Sequence, residues 1–216
     1  MPASGFQSFQ FRQLEVSLGL KRENRISYTQ CAYSGVFSQK EQDILHQIEA
    51  RRSKLSRNRN LDAFFAESFD PVLNKLIGNT EYRWEEAAEN ICLIPADLSF
   101  GNAIKSGNGT IKIIDFEYFG KGHPIKLACD FVWHPAHKLT DLQIKIFREN
   151  YFNYFSSIWN LEKNFDLAMP FYGLRWGLII LNIFLDAATP NSPSHDIQLA
   201  KAENICKAVA ALIEQN

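Results

Sequence analysis

The stretch Ile91–Gly120, ICLIPADLSFGNAIKSGNGTIKIIDFEYFG, constrains the fold more than any other. It holds two apolar runs, each closed by an aspartate, with a Gly-rich turn between them. "NAIK" and "TIKIID" flank "SGNG", the pattern of a β-hairpin, and "ICLI" is a short strand-like run. The β signal is confined to this stretch. A chain of 216 residues built this way must be mostly helical, with a small β patch at its middle.

Helix signals account for the remainder. "SQKE" (Ser38, Glu41) and "TDLQ" (Thr140, Gln143) fit the capping box, in which two side chains satisfy free backbone N–H groups at a helix start. The first predicts a helix to about residue 56 with Ile44, Leu45 and Ile48 on one face. The second predicts a helix with Leu142, Ile146, Phe147, Tyr151, Tyr154 and Phe155 at helical spacing. Further helices are expected at about 6–19, 61–77, 83–89, 124–133, 165–187 and 196–214, with Pro124 and Pro193 suited to first turns. The apolar run "WGLIILNIFL" spans about ten residues, short of the ~20 that cross a bilayer, and reads as a buried helix.

Composition narrows the class. The chain is 46% hydrophobic and 22% charged, with a formal net charge of -1, a folded globular profile. No basic excess points to nucleic acid or a membrane surface. The basic run "EARRSKLSRNR" reads as a solvated helix face. The four cysteines, Cys31, Cys92, Cys129 and Cys206, form no CxxC, which suits a reduced cytoplasmic chain. The N-terminus lacks the pattern of a signal peptide.

The two acids carry the chemistry. Asp is depleted from strands and costly to bury unpaired, yet it ends both runs. Asp97 falls on the loop after one strand, Asn102 where that loop re-enters a strand, and the hairpin returns Asp115 toward them. Such oxygen-bearing side chains suit a hard cation such as Mg²⁺, and a carboxylate outside its ligand set suits proton abstraction from a hydroxyl. Equally, Asx side chains simply hold turns. "HPAH" (His134, His137) with Cys129 is a weak zinc pattern lacking a fourth ligand; structural or surface histidines are the better reading. Arg175, inside an apolar helix, reads as snorkelling or paired. Cys92 and Cys129 read as inert core thiols.

The order "PADLSFGN", "IIDFEYFG", "GHP" resembles the aminoglycoside phosphotransferase and choline kinase-like family of small-molecule kinases. The resemblance implies an α+β, predominantly helical chain: the C-terminal lobe of a protein-kinase-like fold with a small hairpin at the catalytic loop. It implies a phosphotransferase enzyme acting on a small-molecule hydroxyl, with Asp97 as catalytic base. Asn102 and Asp115 would hold Mg²⁺ on ATP, and Glu117 would face the same cleft. Residues 1–37 would be an N-terminal segment and 38–216 the phosphotransferase lobe. Pro95 stands where that family has His, His123 replaces an Asp, and Leu127 stands where its helix carries an Asp; Asp130, one turn on, is either a substitute brace or a surface acid. No Gly-rich phosphate loop is present. The N-lobe would therefore lie on a lost upstream segment or on a separate chain, and the apolar surface left without it would invite a homo-oligomer. The alternatives are a non-catalytic kinase-like remnant that binds a partner and an unrelated helical protein.

Overall fold

The fold is described from a computed structural model covering residues 41–84, 90–95, 97–115, 119–158, 160–185 and 192–215. Helix α1 spans Glu41–Leu55 and opens on Glu41 and Asp43, closing on Arg52 and Lys54. That charge order complements the helix dipole. Its buried positions Ile44, Ile48 and Leu55 lie on one stripe. Its expected opening at Ser38 lies outside the described residues, as do the helix expected at 6–19 and most of that at 83–89.

The chain then turns through Arg59–Leu61 and winds one wide π-helical turn over Phe64–Phe69. The Asp70 N–H reaches back five residues to the Phe65 carbonyl. The extra residue in this turn leaves Phe64, Phe65 and Phe69 buried with ring centroids 5.4–5.9 Å apart. Helix α2, Asp70–Gly78, follows directly, with a proline in its first turn. Arg52 of α1 forks onto Asp70, tying the two helices together. The Asp70 carboxylate is thus spent on structure.

Four short strands make two antiparallel pairs: β1 (Cys92–Pro95) with β4 (Phe119–Gly122), and β2 (Ala103–Lys105) with β3 (Ile111–Ile113). The β2–β3 pair is the hairpin expected around SGNG, turning through Gly109 at φ 85°, a left-handed conformation glycine adopts without strain. Strand β4 is an addition to the sequence reading.

Helices α3 (Pro124–Trp133), α4 (Asp141–Tyr154), α5 (Leu161–Ile180) and α6 (Pro193–Gln215) complete the body. Pro124 sits in the first turn of α3, where the His123 Nδ1 accepts from the Ile125 N–H. The capping box of Thr140 and Gln143 is formed at α4. Helix α5 is central, packing against α1, α3 and α6. With the tighter turns of Leu181–Leu185 it forms a 25-residue segment whose most apolar stretch has a mean hydropathy of 1.4, long and apolar enough by composition to cross a bilayer, but 67% of that stretch is buried inside the protein. The helix expected at about 165–187 thus starts four residues earlier, at Leu161, and continues past Ile180 in tighter turns to Leu185, and the core-helix reading stands. Gly173 on α5 lets three helices meet: a Cβ there would lie 2.5 Å from Val209 Cγ2 and 2.8 Å from Trp133 Cζ2.

The coarse expectation holds: predominantly helical, with a small β component. The finer expectation of a kinase-like lobe is not shown by this architecture, and no solved structure matches the chain.

Candidate functional site

The loop from β1 to β2 is built around Asp97. Its carboxylate is 49% exposed, yet both oxygens have partners. Asn102 Nδ2 donates to the Asp97 carbonyl at 3.0 Å and to Oδ2 at 3.2 Å. His134, just past the end of α3, places Nε2 3.2 Å from Oδ1. The Ala136 N–H donates to His134 Nδ1, which puts the proton of the neutral ring on Nε2 and makes His134 a donor to Asp97. The bond is local at one end and tertiary at the other, so neither partner alone fixes the side chain.

His137 locks the same loop from below. Its Nε2 accepts from the Phe100 N–H at 3.0 Å, and its Nδ1 donates to the Phe131 carbonyl at 2.7 Å. Burial, outweighing the Phe131 contact, lowers its pKa below the ordinary value, so the ring is neutral as this pairing requires. Phe100 lies 4.4 Å from the His137 ring and edge-on to Phe131 at 5.6 Å, and remains 48% exposed. An aromatic face is thus open to solvent three residues from a fixed carboxylate.

Asp115 follows β3 in a left-handed conformation, φ 63°, which Asp tolerates better than most residues. The backbone bond from Ile114 N–H to the Asn102 carbonyl, 2.9 Å, ties its neighbour to the Asp97 loop. Glu117 lies outside the described residues.

Beneath the loop lies a buried charge cluster. Asp130 accepts from Arg175, from Lys126 Nζ at 2.8 Å and from Trp176 Nε1 at 2.9 Å, while Arg175 also reaches Gln47 Oε1 at 3.2 Å. Asp130 and Arg175 side chains are each only 8% exposed. Burial by itself would raise the Asp130 pKa; Arg175 and Lys126, with the hydrogen bonds, overcome it and hold the carboxyl below its ordinary value. Asp130 is therefore neither a surface acid nor free, and Arg175 is paired rather than snorkelling. The His134 ring stands edge-on to Trp176 at 5.3 Å, so the cluster underpins the residue that holds Asp97.

The zinc pattern does not assemble. Cys129 is buried, with its thiol pushed well above its ordinary pKa by burial. Among the described residues no three His, Cys, Asp or Glu side chains gather as a metal site. Burial also pushes Cys92 and Cys206 up to about 12, in keeping with inert thiols. Sequence reading missed the contributions of Phe100 and Trp176. The two histidines following a helix were the available signal, because a loop aspartate needs donors and "HPAH" supplies them.

The tryptophan 2,3-dioxygenase family matches residues 1–67. The chain is similar to tryptophan 2,3-dioxygenases of Alteromonas mediterranea, 45% identical over 53 residues, covering 24% of this chain and 15% of the relative. It is also similar to those of Aedes aegypti, 62% over 37 residues (17% and 9%), and Dictyostelium discoideum, 42% over 55 residues (26% and 14%). The chain thus spans 9–15% of the length of these relatives. The family match ends before the Ile91–Gly120 stretch, and residues 1–40 of it lie outside the described residues.

These matches overturn the aminoglycoside phosphotransferase and choline kinase-like reading, which rested on the order of motifs within about 40 residues. With it go ATP-dependent phosphotransfer, the kinase-like remnant, ATP and Mg²⁺ as cofactors, and the hydroxyl substrate with a separate N-lobe chain. The physical weakness of that reading is plain in the fold. An Asp and an Asn five residues apart close a loop on each other through the Asn102–Asp97 hydrogen bonds whatever the loop serves.

Proposed function

We propose that this chain serves tryptophan 2,3-dioxygenase chemistry by binding tryptophan. The family match over residues 1–67 carries this reading, and the Asp97 loop supports it by offering what an aromatic amino acid needs. A fixed, half-exposed carboxylate suits the α-ammonium group. The open face of Phe100 suits the indole by stacking. Asp115 and Glu117 are further candidate acids for the same ammonium, with Asn102 orienting Asp97. We place the chain in the cytoplasm and divide it into a segment 1–37 and a helical body 38–216.

A dioxygenase of this family implies a haem, which would activate O₂ for insertion across the indole 2,3 bond. The residues do not fit a histidine-ligated haem. All five histidines of the chain are described. His46 stands on the exposed face of α1. His134 and His137 have both ring nitrogens engaged. His123 accepts the Ile125 N–H, and His195 is bound to Ser192 and packed edge-on to Phe184. Substrate recognition is therefore the role assigned to the body, and no oxygen-transfer step is assigned to its residues.

Calorimetry with L-tryptophan tests the reading. Asp97→Asn should weaken binding about tenfold, the value of one charge-assisted hydrogen bond. Tryptamine, which keeps the ammonium, should bind, and indole-3-propionate, which lacks it, should not. Equal binding of indole-3-propionate and tryptophan, or an unchanged affinity in Asp97→Asn, would overturn it.

A further inference from the structure

Charge in the buried cluster does not balance. Arg175 on α5 and Lys126 on α3 share one carboxylate, Asp130, and all three residues are buried. Arg51 brings a further cation to the same place. Gln47 on α1 accepts from Arg175 Nη1 at 3.2 Å, and Arg51 follows Gln47 by one helical turn, on the same face of α1. Among the described residues no acid pairs with Arg51, whereas its neighbour Arg52 takes Asp70. Asp43, one turn before Gln47, is already engaged. Burial, and after it the charge of Arg175, pushes the Arg51 pKa below its ordinary value. The side chain is thus held half-buried beside a like charge. Arg175 also keeps one donor unused. Its Nη1 is on Gln47 and its Nη2 on Asp130, and its guanidinium lies 5.0 Å from the centre of the Tyr172 ring. Gln47 is committed at its other end, because its Nε2 donates to the Asp43 carbonyl at 3.3 Å. Arg175 Nε is buried and has no hydrogen-bond partner. An unpaired buried donor costs about 1–3 kcal/mol, and an unbound water or ion is one of its recognised explanations.

We infer that the Arg51 side of Arg175 binds a small carboxylate anion, which accepts from the Nε–H of Arg175 and from the guanidinium fork of Arg51. The donor set fits that class. A fork and one further N–H are satisfied by two carboxylate oxygens, and an arginine fork matches a carboxylate edge-on. A phosphate would bring a third strong acceptor oxygen into a buried site with no donor left for it. The anion leaves the Asp130 pairing in place and offsets part of the positive excess around it. Arg175 is the fixed partner, held by Asp130 and Gln47, and the half-buried Arg51 is the accessible one. The inference does not rest on tryptophan binding, and its probe carries no indole.

The test titrates the full chain with sodium acetate at pH 7, replacing sodium chloride at constant ionic strength, and follows the Arg175 Nε–Hε signal by proton–nitrogen NMR. A saturable shift is expected, and Arg51→Gln should weaken the apparent affinity about tenfold, the value of one charge-assisted hydrogen bond. Arg51→Lys, which keeps the charge and loses the fork, should fall between the two. A shift that never saturates, or an affinity unchanged in Arg51→Gln, would overturn the inference. Saturation by sodium phosphate but not by acetate would overturn the assignment to a carboxylate. A second measurement needs no signal assignment. Acetate should raise the melting temperature of the native chain above its value in chloride, since a ligand of the folded state stabilises it, and should raise that of Arg51→Gln less. Equal rises in both chains would show a general salt effect and count equally against the site.

Discussion

Asp130 is the residue on which most depends. It is one carboxylate shared by two buried cations, Arg175 and Lys126, and by the Trp176 indole N–H. Removing a partner from a buried ion pair costs about 3–5 kcal/mol, because the remaining charge stays desolvated. Asp130→Ala strands two cations at once and should sit at the upper end of that range in urea unfolding. The pair replacement Asp130→Leu with Arg175→Met should cost less than the single change, since no charge of that pair is left behind. A loss below about 1 kcal/mol in Asp130→Ala would mean that water reaches the site. The pairing was not legible in the sequence. Asp130 and Arg175 are 45 positions apart, and no spacing rule links a helix acid to an arginine on another helix. What could be read was only that an arginine among apolar residues requires a partner.

Elements were legible where their signals are local. Thr140 with Gln143, Pro124 and Pro193 each mark a helix start within three or four residues, and each start is where they put it. The SGNG turn likewise specifies its hairpin. Two elements escaped for physical reasons. Strand β4, FGKG, has none of the β-branched residues that signal a strand, and it exists by pairing with β1 across the loop. The wide turn at Phe64–Phe69 looks helical in sequence, and packing of its three phenylalanines sets its pitch. Helix packing gives the prediction proper to this scale. Gly173→Ala introduces a Cβ within 2.5–2.8 Å of Val209 and Trp133, and the Trp133 indole is anchored on the Met169 carbonyl at 2.9 Å. Neither neighbour yields freely, so overpacking should cost about 1–3 kcal/mol, read as a lower melting temperature. An alanine variant as stable as the native chain would show that α6 can shift away from α5.

For the whole molecule, motif order misled where charge and burial did not. D-x-x-x-x-N followed by I-D-F suggested a kinase, whereas the buried groups allow a forecast that is independent of family: stability against pH. His137 has a lowered pKa in the folded chain, chiefly through burial. The unfolded chain therefore takes up its proton first as pH falls below the ordinary 6.5, and stability drops from there downward. Protonation would also put a hydrogen on Nε2, facing the Phe100 N–H that it now accepts. Asp130, held below its ordinary 3.8, contributes stability that is complete above that value and lost as pH falls through its folded pKa. On the alkaline side Cys92 and Cys206 are raised from 9.0 to about 12 by burial. The unfolded chain ionises these thiols from about pH 9 while the folded chain does not, so stability falls as pH rises from 9 toward 12. Melting temperature should therefore be flat between about pH 6.5 and 9 and decline on both sides, by about 2–4 °C for each kcal/mol lost in a chain of this size. Cys206→Ala should flatten part of the alkaline limb, and His137→Asn part of the limb between pH 6.5 and 5, each judged by slope rather than by absolute stability. A single decline centred at the pI near 6.5 would instead show that net charge, and not these buried groups, governs the response.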